Sequence, residues 1–172
     1  MRPWAEAAFT ALEAAGVRQA AYVPDAGLDA LIARCRAAET VTAVALTSEE
    51  EGIALAAGAW LGGARAVVMM QSSGVGNCVN MLSLVRVCRF PLLMLVTMRG
   101  QWAEANPWQL PMGRIAADVL ELAGVAVVPL RTAAEAEETV AAAATMAFEG
   151  SAAVAVVVDQ RLLGAKRFAR AS

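Results

Sequence analysis

Three runs in this chain are apolar without a polar residue at every second position: "AVVMM" in Ala66–Gln71, "LLMLV" in Leu92–Thr97 and "AVAVVV" at Ala153–Val158. A strand with one face in water alternates apolar and polar residues, so these runs predict strands covered on both faces. Such strands belong to parallel sheets whose crossovers are helices. Gln19–Val23, Val41–Leu46 and Val125–Pro129 are the other candidate strands. Ala-rich segments with apolar residues at helical spacing lie between them: Trp4–Ala15, Ala26–Ala37, Ser48–Leu61, Gly76–Val87, Gly113–Ala123 and Ala133–Phe148. This alternation predicts an α/β fold, a three-layer αβα domain around a mostly parallel six-stranded sheet. The 172 residues suit a single domain, read as 1–164, with 165–172 as a C-terminal tail.

Several function classes are disfavoured. The uncharged stretch from Ala66 to Val85 is broken by Gln71, Ser72, Ser73, Gly74, Gly76, Asn77 and Asn80, which makes it a poor membrane span. The N-terminus "MRPWAEAAF" lacks a long apolar core of the secretory kind, and a cytoplasmic location is expected. Cys35, Cys78 and Cys88 form no CxxC pair and are odd in number, against a disulfide framework or a zinc site. The chain has no histidine, which removes Ser-His-Asp and Cys-His catalysis and most transition-metal sites, so no metal ligands are expected. A net charge of -2 without a Lys/Arg cluster argues against nucleic acid. Acid–base chemistry then falls to carboxylates or to a cofactor.

In an open α/β sheet, ligands gather beyond the carboxyl ends of the strands. Four polar segments are expected to meet there: "VPDAG", "TSEEE", "QSSGVGN" and "TMRGQWAEANPWQLPMG". In "TSEEE", Thr47 and Ser48 with Glu50 and Glu51 form overlapping capping boxes, and acidic residues suit a helix N-terminus. The alternative is a carboxylate held away from bulk water. Gly74 and Gly76 allow close backbone approach in a strand-to-helix turn, which has neither the GK[ST] of a phosphate loop nor a complete GxGxxG. Arg99 opens a long βα connection in which Trp102 and Trp108 either wall a site or pack on the surface. Asp25 is either the N-cap of the next helix or a site residue.

Taken in order, "VPD", "EEEG", "AAGAWLGG", "QSSGVGN", "PLLMLVTMRG" and "PMG" resemble the pyrimidine-binding half of thiamine-diphosphate-dependent 2-oxo acid decarboxylases. The likeness is greatest to the small alpha chain of the sulfopyruvate decarboxylase family and to the matching half of phosphonopyruvate decarboxylases. It implies the thiamine-diphosphate-binding fold. It implies that Glu50, or Glu51 if the register is off by one, hydrogen-bonds a ring nitrogen of the aminopyrimidine and so activates the cofactor. On this view the apolar helix behind Glu50 raises its carboxyl pKa towards neutrality by desolvation. The resemblance further implies a proton-relaying role for Asp25 near the substrate carboxylate. Ser73, Gly74, Val75, Gly76 and Asn77 match the loop against the cofactor, and Arg99, Gln109 and Asn77 match the substrate side. Relatives often carry a histidine or an aromatic before "RG", where this chain has Met98.

The "GDG…N" motif that holds magnesium and the diphosphate in this family does not occur in the chain. The resemblance therefore implies a hetero-oligomer, in which a beta subunit brings that motif, with Mg2+ held by the partner chain. The implied substrate is a small 2-oxo acid bearing a sulfonate or phosphonate, and the products are the aldehyde and CO2. Carboligation on the same cofactor, a non-catalytic subunit of such a complex and a stand-alone small-anion binder are the alternatives.

Overall fold

The structure, a computed structural model, describes residues 2–165. The elements run α1 (Pro3–Ala14), β1 (Val17–Tyr22), α2 (Asp29–Ala37), β2 (Thr42–Ala45), α3 (Glu49–Leu61), β3 (Arg65–Gln71), α4 (Val75–Cys78), α5 (Ser83–Cys88), β4 (Leu92–Thr97), α6 (Leu110–Leu122), β5 (Ala126–Leu130), α7 (Ala136–Phe148), β6 (Ala153–Val158) and α8 (Gln160–Leu163). The six strands form one sheet in the order β2-β1-β3-β4-β6-β5, and every pairing is parallel. The expected sheet was mostly parallel; no strand here reverses.

The unalternated runs are central strands. Along them, residues point in turn to two cores, as the two-residue period of a strand requires. Val67, Met69, Leu93, Leu95, Val154 and Val156 pack with α1, α2 and α7. Val68, Met70, Met94, Val96, Ala155 and Val157 pack with α3, α5 and α6. Each fully buried aliphatic side chain contributes about 1.5–3 kcal/mol relative to exposure. The edge strand β2 is only partly covered.

Three local departures from the sequence expectations have simple causes. The helix expected over Gly76–Val87 is divided. Its backbone stays helical at Val79 and Leu82, but the Ser83, Leu84 and Val85 amides bond three residues back rather than four. This tightening follows a stretch of weak helix formers, Gly76, Asn77 and Asn80. Helix α2 starts at Asp29 rather than Ala26, because Asp25 and Leu28 close a turn through the Leu28 N–H to Asp25 C=O bond. Helix α8 was not anticipated; it is one short turn capped by Asp159, whose Oδ1 accepts from the Arg161 N–H at 2.7 Å. The expected tail lies almost wholly outside the described residues. No helix among the described residues is long and apolar enough to cross a membrane.

Candidate functional site

The strand order reverses direction between β1 and β3, the topological switch point where an open α/β sheet leaves a crevice. Chain leaving β1 enters α2 on one face, while chain leaving β3 enters α4 and α5 on the other. Gln71, at the C-terminal end of β3, sits over this point and joins the neighbouring loops. Its Nε2 donates to Asp25 Oδ1 at 2.8 Å, and its Oε1 accepts from Ser73 Oγ at 2.9 Å. Asp25 Oδ2 accepts from Thr97 Oγ1 at 2.7 Å and from the Gly27 N–H at 2.9 Å. A Cβ on Gly27 would lie 2.7 Å from Asp25 Oδ2 and 3.1 Å from Thr97 Cβ, so a glycine is needed for the carboxylate to reach Thr97. Asp25 is thus a half-buried acceptor tied to the ends of β3 and β4. Its carboxylate caps the turn that precedes α2 rather than the helix itself.

The three glutamates separate in space. Glu51 Oε2 accepts from the Thr47 N–H at 2.9 Å and the Ser48 N–H at 3.4 Å, closing the N-terminus of α3 in capping-box fashion. Glu50 accepts from the Ser48 hydroxyl. That bond, followed by a backbone N–H, holds the Glu50 carboxyl below its ordinary value. Desolvation by burial opposes this as the smallest influence, so in the chain by itself the hydroxyl donor prevails and favours the anion. Glu49 turns towards the glycine turn. Its Oε2 accepts from Asn77 Nδ2 at 2.7 Å, and its side chain lies where a Cβ on Gly74 would stand. Glu49, which the sequence reading passed over, is the carboxylate that meets "QSSGVGN". The one available signal was its place at the first position of the helix, nearest the strand ends. Beneath this turn the buried Cys78 thiol is pushed up to about 12, by burial first and then by the charges of Glu49 and Glu50.

The rest of the turn divides by exposure. Ser73, Gly76 and Asn77 are exposed, whereas the Val75 side chain is buried in the α3/α5/α6 core and leaves only main chain for a ligand. Ser72 is fully buried, and its Oγ accepts from the Arg99 N–H at 3.1 Å, tying the β3 turn to the β4 loop. The Arg99 guanidinium forks onto Glu104, another residue the sequence reading missed. Gln109 ends the 3-10 turn Pro107–Gln109 before α6, and its buried Oε1 has no hydrogen-bond partner among the described residues. Trp108 is 71% exposed and Trp102 41%, the latter under the Arg161 guanidinium. Among the described residues no three His, Cys, Asp or Glu side chains are grouped to hold a metal.

Residues 3–117 match the family model "Thiamine pyrophosphate enzyme, N-terminal TPP binding domain". This chain belongs to the thiamine pyrophosphate enzyme family. It is 36% identical over 155 residues to sulfopyruvate decarboxylase subunit alpha of Methanothermobacter thermautotrophicus, covering 90% of this chain and 94% of the relative. It is 32% identical to the subunit of the same name from Methanococcus maripaludis, over 90% of this chain and 93% of the relative. Phosphonopyruvate decarboxylase of Streptomyces viridochromogenes is 40% identical over 109 residues, but the match spans only 28% of that longer protein. The fold is shared with the 2-oxoglutarate:ferredoxin oxidoreductase of Magnetococcus marinus, with a TM-score of 0.73 at 15% identity, covering 95% of this chain and 29% of that one.

Proposed function

We propose that this chain is the pyrimidine-binding alpha subunit of a thiamine-diphosphate-dependent decarboxylase acting on a small 2-oxo acid, sulfopyruvate or phosphonopyruvate. The observation that carries the reading is the meeting of Glu49, Gly74 and Asn77 at the switch point of a chain of this family. The arrangement fits an aminopyrimidine. A glycine lets the Glu49 carboxyl lie against the backbone turn beside Asn77. The bound cofactor supplies the electron sink for loss of carbon dioxide.

The chain's own residues then have distinct tasks. The Glu50 carboxyl, in the first turn of α3, would share a proton with the pyrimidine ring of the bound cofactor. Glu49, one residue before it on the same helical turn, takes the Asn77 amide and lies against Gly74, bounding the same turn. Asp25, fixed by Gln71, Thr97 and the Gly27 N–H, presents a carboxylate to the substrate side. Ser73, Gly74, Gly76 and the Val75 main chain bound the cofactor, Asn77 borders both cofactor and substrate, and Gln109 lies on the substrate side.

The complete site needs a second chain. A beta subunit with a "GDG…N" motif would hold Mg2+ and the diphosphate, making the enzyme a hetero-oligomer. The "subunit alpha" in the names of the full-length relatives supports this. Exposed apolar residues such as Val79, Val87, Ile115 and Leu122 give such a partner surface to cover. The experiment is to tag the chain in its native host, isolate it gently with thiamine diphosphate and Mg2+, identify what accompanies it, and assay CO2 and aldehyde release from both substrates. A stoichiometric companion bearing the motif, with turnover, is the expected result. A solitary chain under these conditions would overturn the two-chain reading, and a coupled carbon–carbon product in place of the aldehyde would redirect it to carboligation.

A further inference from the structure

Arg99 stands at the end of β4, where a ligand for the substrate's acidic group is expected, yet its guanidinium is already committed inside the chain. Nε donates to Glu104 Oε2 at 2.7 Å and Nη2 to Glu104 Oε1 at 2.5 Å, fork on fork. The Glu104 side chain is only 2% exposed and that of Arg99 11%. The same carboxylate accepts from the Gly100 N–H at 3.2 Å, the Asn106 N–H at 3.0 Å and Gln160 Nε2 at 3.0 Å. Gln160 Oε1 accepts from the Gln101 and Trp102 N–H groups, and the Gln160 N–H donates to Gln101 Oε1. The loop from Arg99 to Asn106 is thereby wound around one buried anion.

Arg99 lines a small cleft with Asp25, Gly27 and Gln160, and Arg2 borders the same cleft. Arg2 likewise has partners within the chain, the Asp29 carboxylate and the Leu163 C=O. A substrate anion that drew the Arg99 fork to itself would leave the buried Glu104 carboxylate without its countercharge, held only by neutral donors, an unfavourable exchange. An anion approaching while Glu104 stayed in place would meet a like charge. Both routes disfavour Arg99 as the anion ligand.

We propose that Arg99 and Glu104 form a positioning pair that fixes the β4 loop beside Asp25, and that Arg99 is not the ligand of the substrate's acidic group. This assignment rests on the decarboxylase function proposed for the chain.

The test uses the reconstituted two-chain complex with thiamine diphosphate and Mg2+, carrying E104Q, E104D, R99L or R99L/E104L. Amide exchange is read across Gly100–Asn106, with the β3 and β4 amides as the folded reference, and kcat and KM are measured on the 2-oxo acid. E104Q is expected to speed loop exchange by about tenfold or more and to lower kcat while KM stays within about threefold. E104D should recover part of both effects. The apolar pair R99L/E104L should exchange more slowly than either R99L or E104Q, with KM again within about threefold. A KM raised about tenfold or more in R99L/E104L, with kcat held, would make Arg99 the anion ligand and overturn the proposal. Unchanged loop exchange in E104Q would overturn it equally. E50Q serves as a control: turnover on the 2-oxo acid that is present in the wild-type complex and lost in E50Q supports the decarboxylase reading, its absence from the wild-type complex would sink that reading, and the exchange data decide separately whether the pair holds the loop.

Discussion

Asn77 Nδ2 lies 2.7 Å from Glu49 Oε2, and this bond joins the first turn of α3 to the first turn of α4 across the switch point of the sheet. Three consecutive glutamates therefore do three different things. Glu49 faces the glycine turn, Glu50 is held by a serine hydroxyl, and Glu51 closes the helix N-terminus.

Exchanging each glutamate for glutamine in the assembled enzyme separates these roles. Glu50→Gln should lower kcat by about 10²–10⁴-fold, the range for loss of an acid–base group. Glu49→Gln, which alters the Asn77 contact, should leave most of the turnover. Glu51→Gln should leave turnover and lower stability by roughly 0.5–1 kcal/mol through the weakened cap. Steady-state kinetics with urea unfolding of each variant checks all three, and a Glu49→Gln enzyme as inactive as Glu50→Gln would undo the division.

Gly74→Ala introduces a Cβ into the Glu49 side chain. Overpacking of this kind costs about 1–3 kcal/mol, relieved here by displacing a surface carboxylate rather than the core. The expected outcome is a sharp loss of thiamine diphosphate retention by the complex with little change in melting temperature. Calorimetric titration of the cofactor into wild-type and variant complexes measures it.

Thr97→Val removes one donor to Asp25 at nearly constant volume, whereas Thr97→Ser keeps it. The valine variant should lose about 1–2 kcal/mol of stability, because a partly buried carboxylate oxygen loses its hydroxyl partner. Its kcat should fall while the serine variant stays close to wild type. Equal losses in both would mean that the methyl packing, not the hydrogen bond, matters.

The Arg99 fork, the largest influence, holds the Glu104 carboxyl at about 2 against its burial, with the Asn106 and Gly100 N–H groups and Gln160 assisting. Because the folded value lies below the ordinary 4.5, the unfolded chain takes up this proton first as pH falls. The stability due to Glu104 is thus full above about pH 4.5 and is lost progressively towards about pH 2. Urea midpoints at pH 6, 4 and 3 should fall more steeply for wild type than for Glu104→Gln. Parallel curves would show that the carboxylate contributes nothing specific to the native state.

Much of the architecture was legible because it rests on local periodicity. Runs such as Leu92–Val96 carry their own evidence of two-sided burial, and their strand ends mark where Asp25, Gln71 and Thr97 must gather. The segment boundaries were less legible. The shift to tighter hydrogen bonding at Ser83–Val85 and the capping of α8 by Asp159 depend on competition among a few weakly preferring residues.

What the sequence by itself determined was the doubly covered parallel sheet, the loops that meet at its carboxyl edge, and membership in a cofactor-using family by the order of its motifs. What only the tertiary structure decided was which neighbour each polar side chain takes. Adjacent residues on a helix point about 100° apart, so no pattern in "EEE" could tell that Glu49 faces Asn77 while Glu51 turns back to Thr47. Likewise Arg99 and Glu104 are five residues apart in a loop without periodicity, and Gln160 reaches them from 56 residues beyond Glu104. Hydrogen bonds are satisfied in three dimensions, and a partner distant in sequence or placed by an irregular loop leaves no repeat by which it can be read.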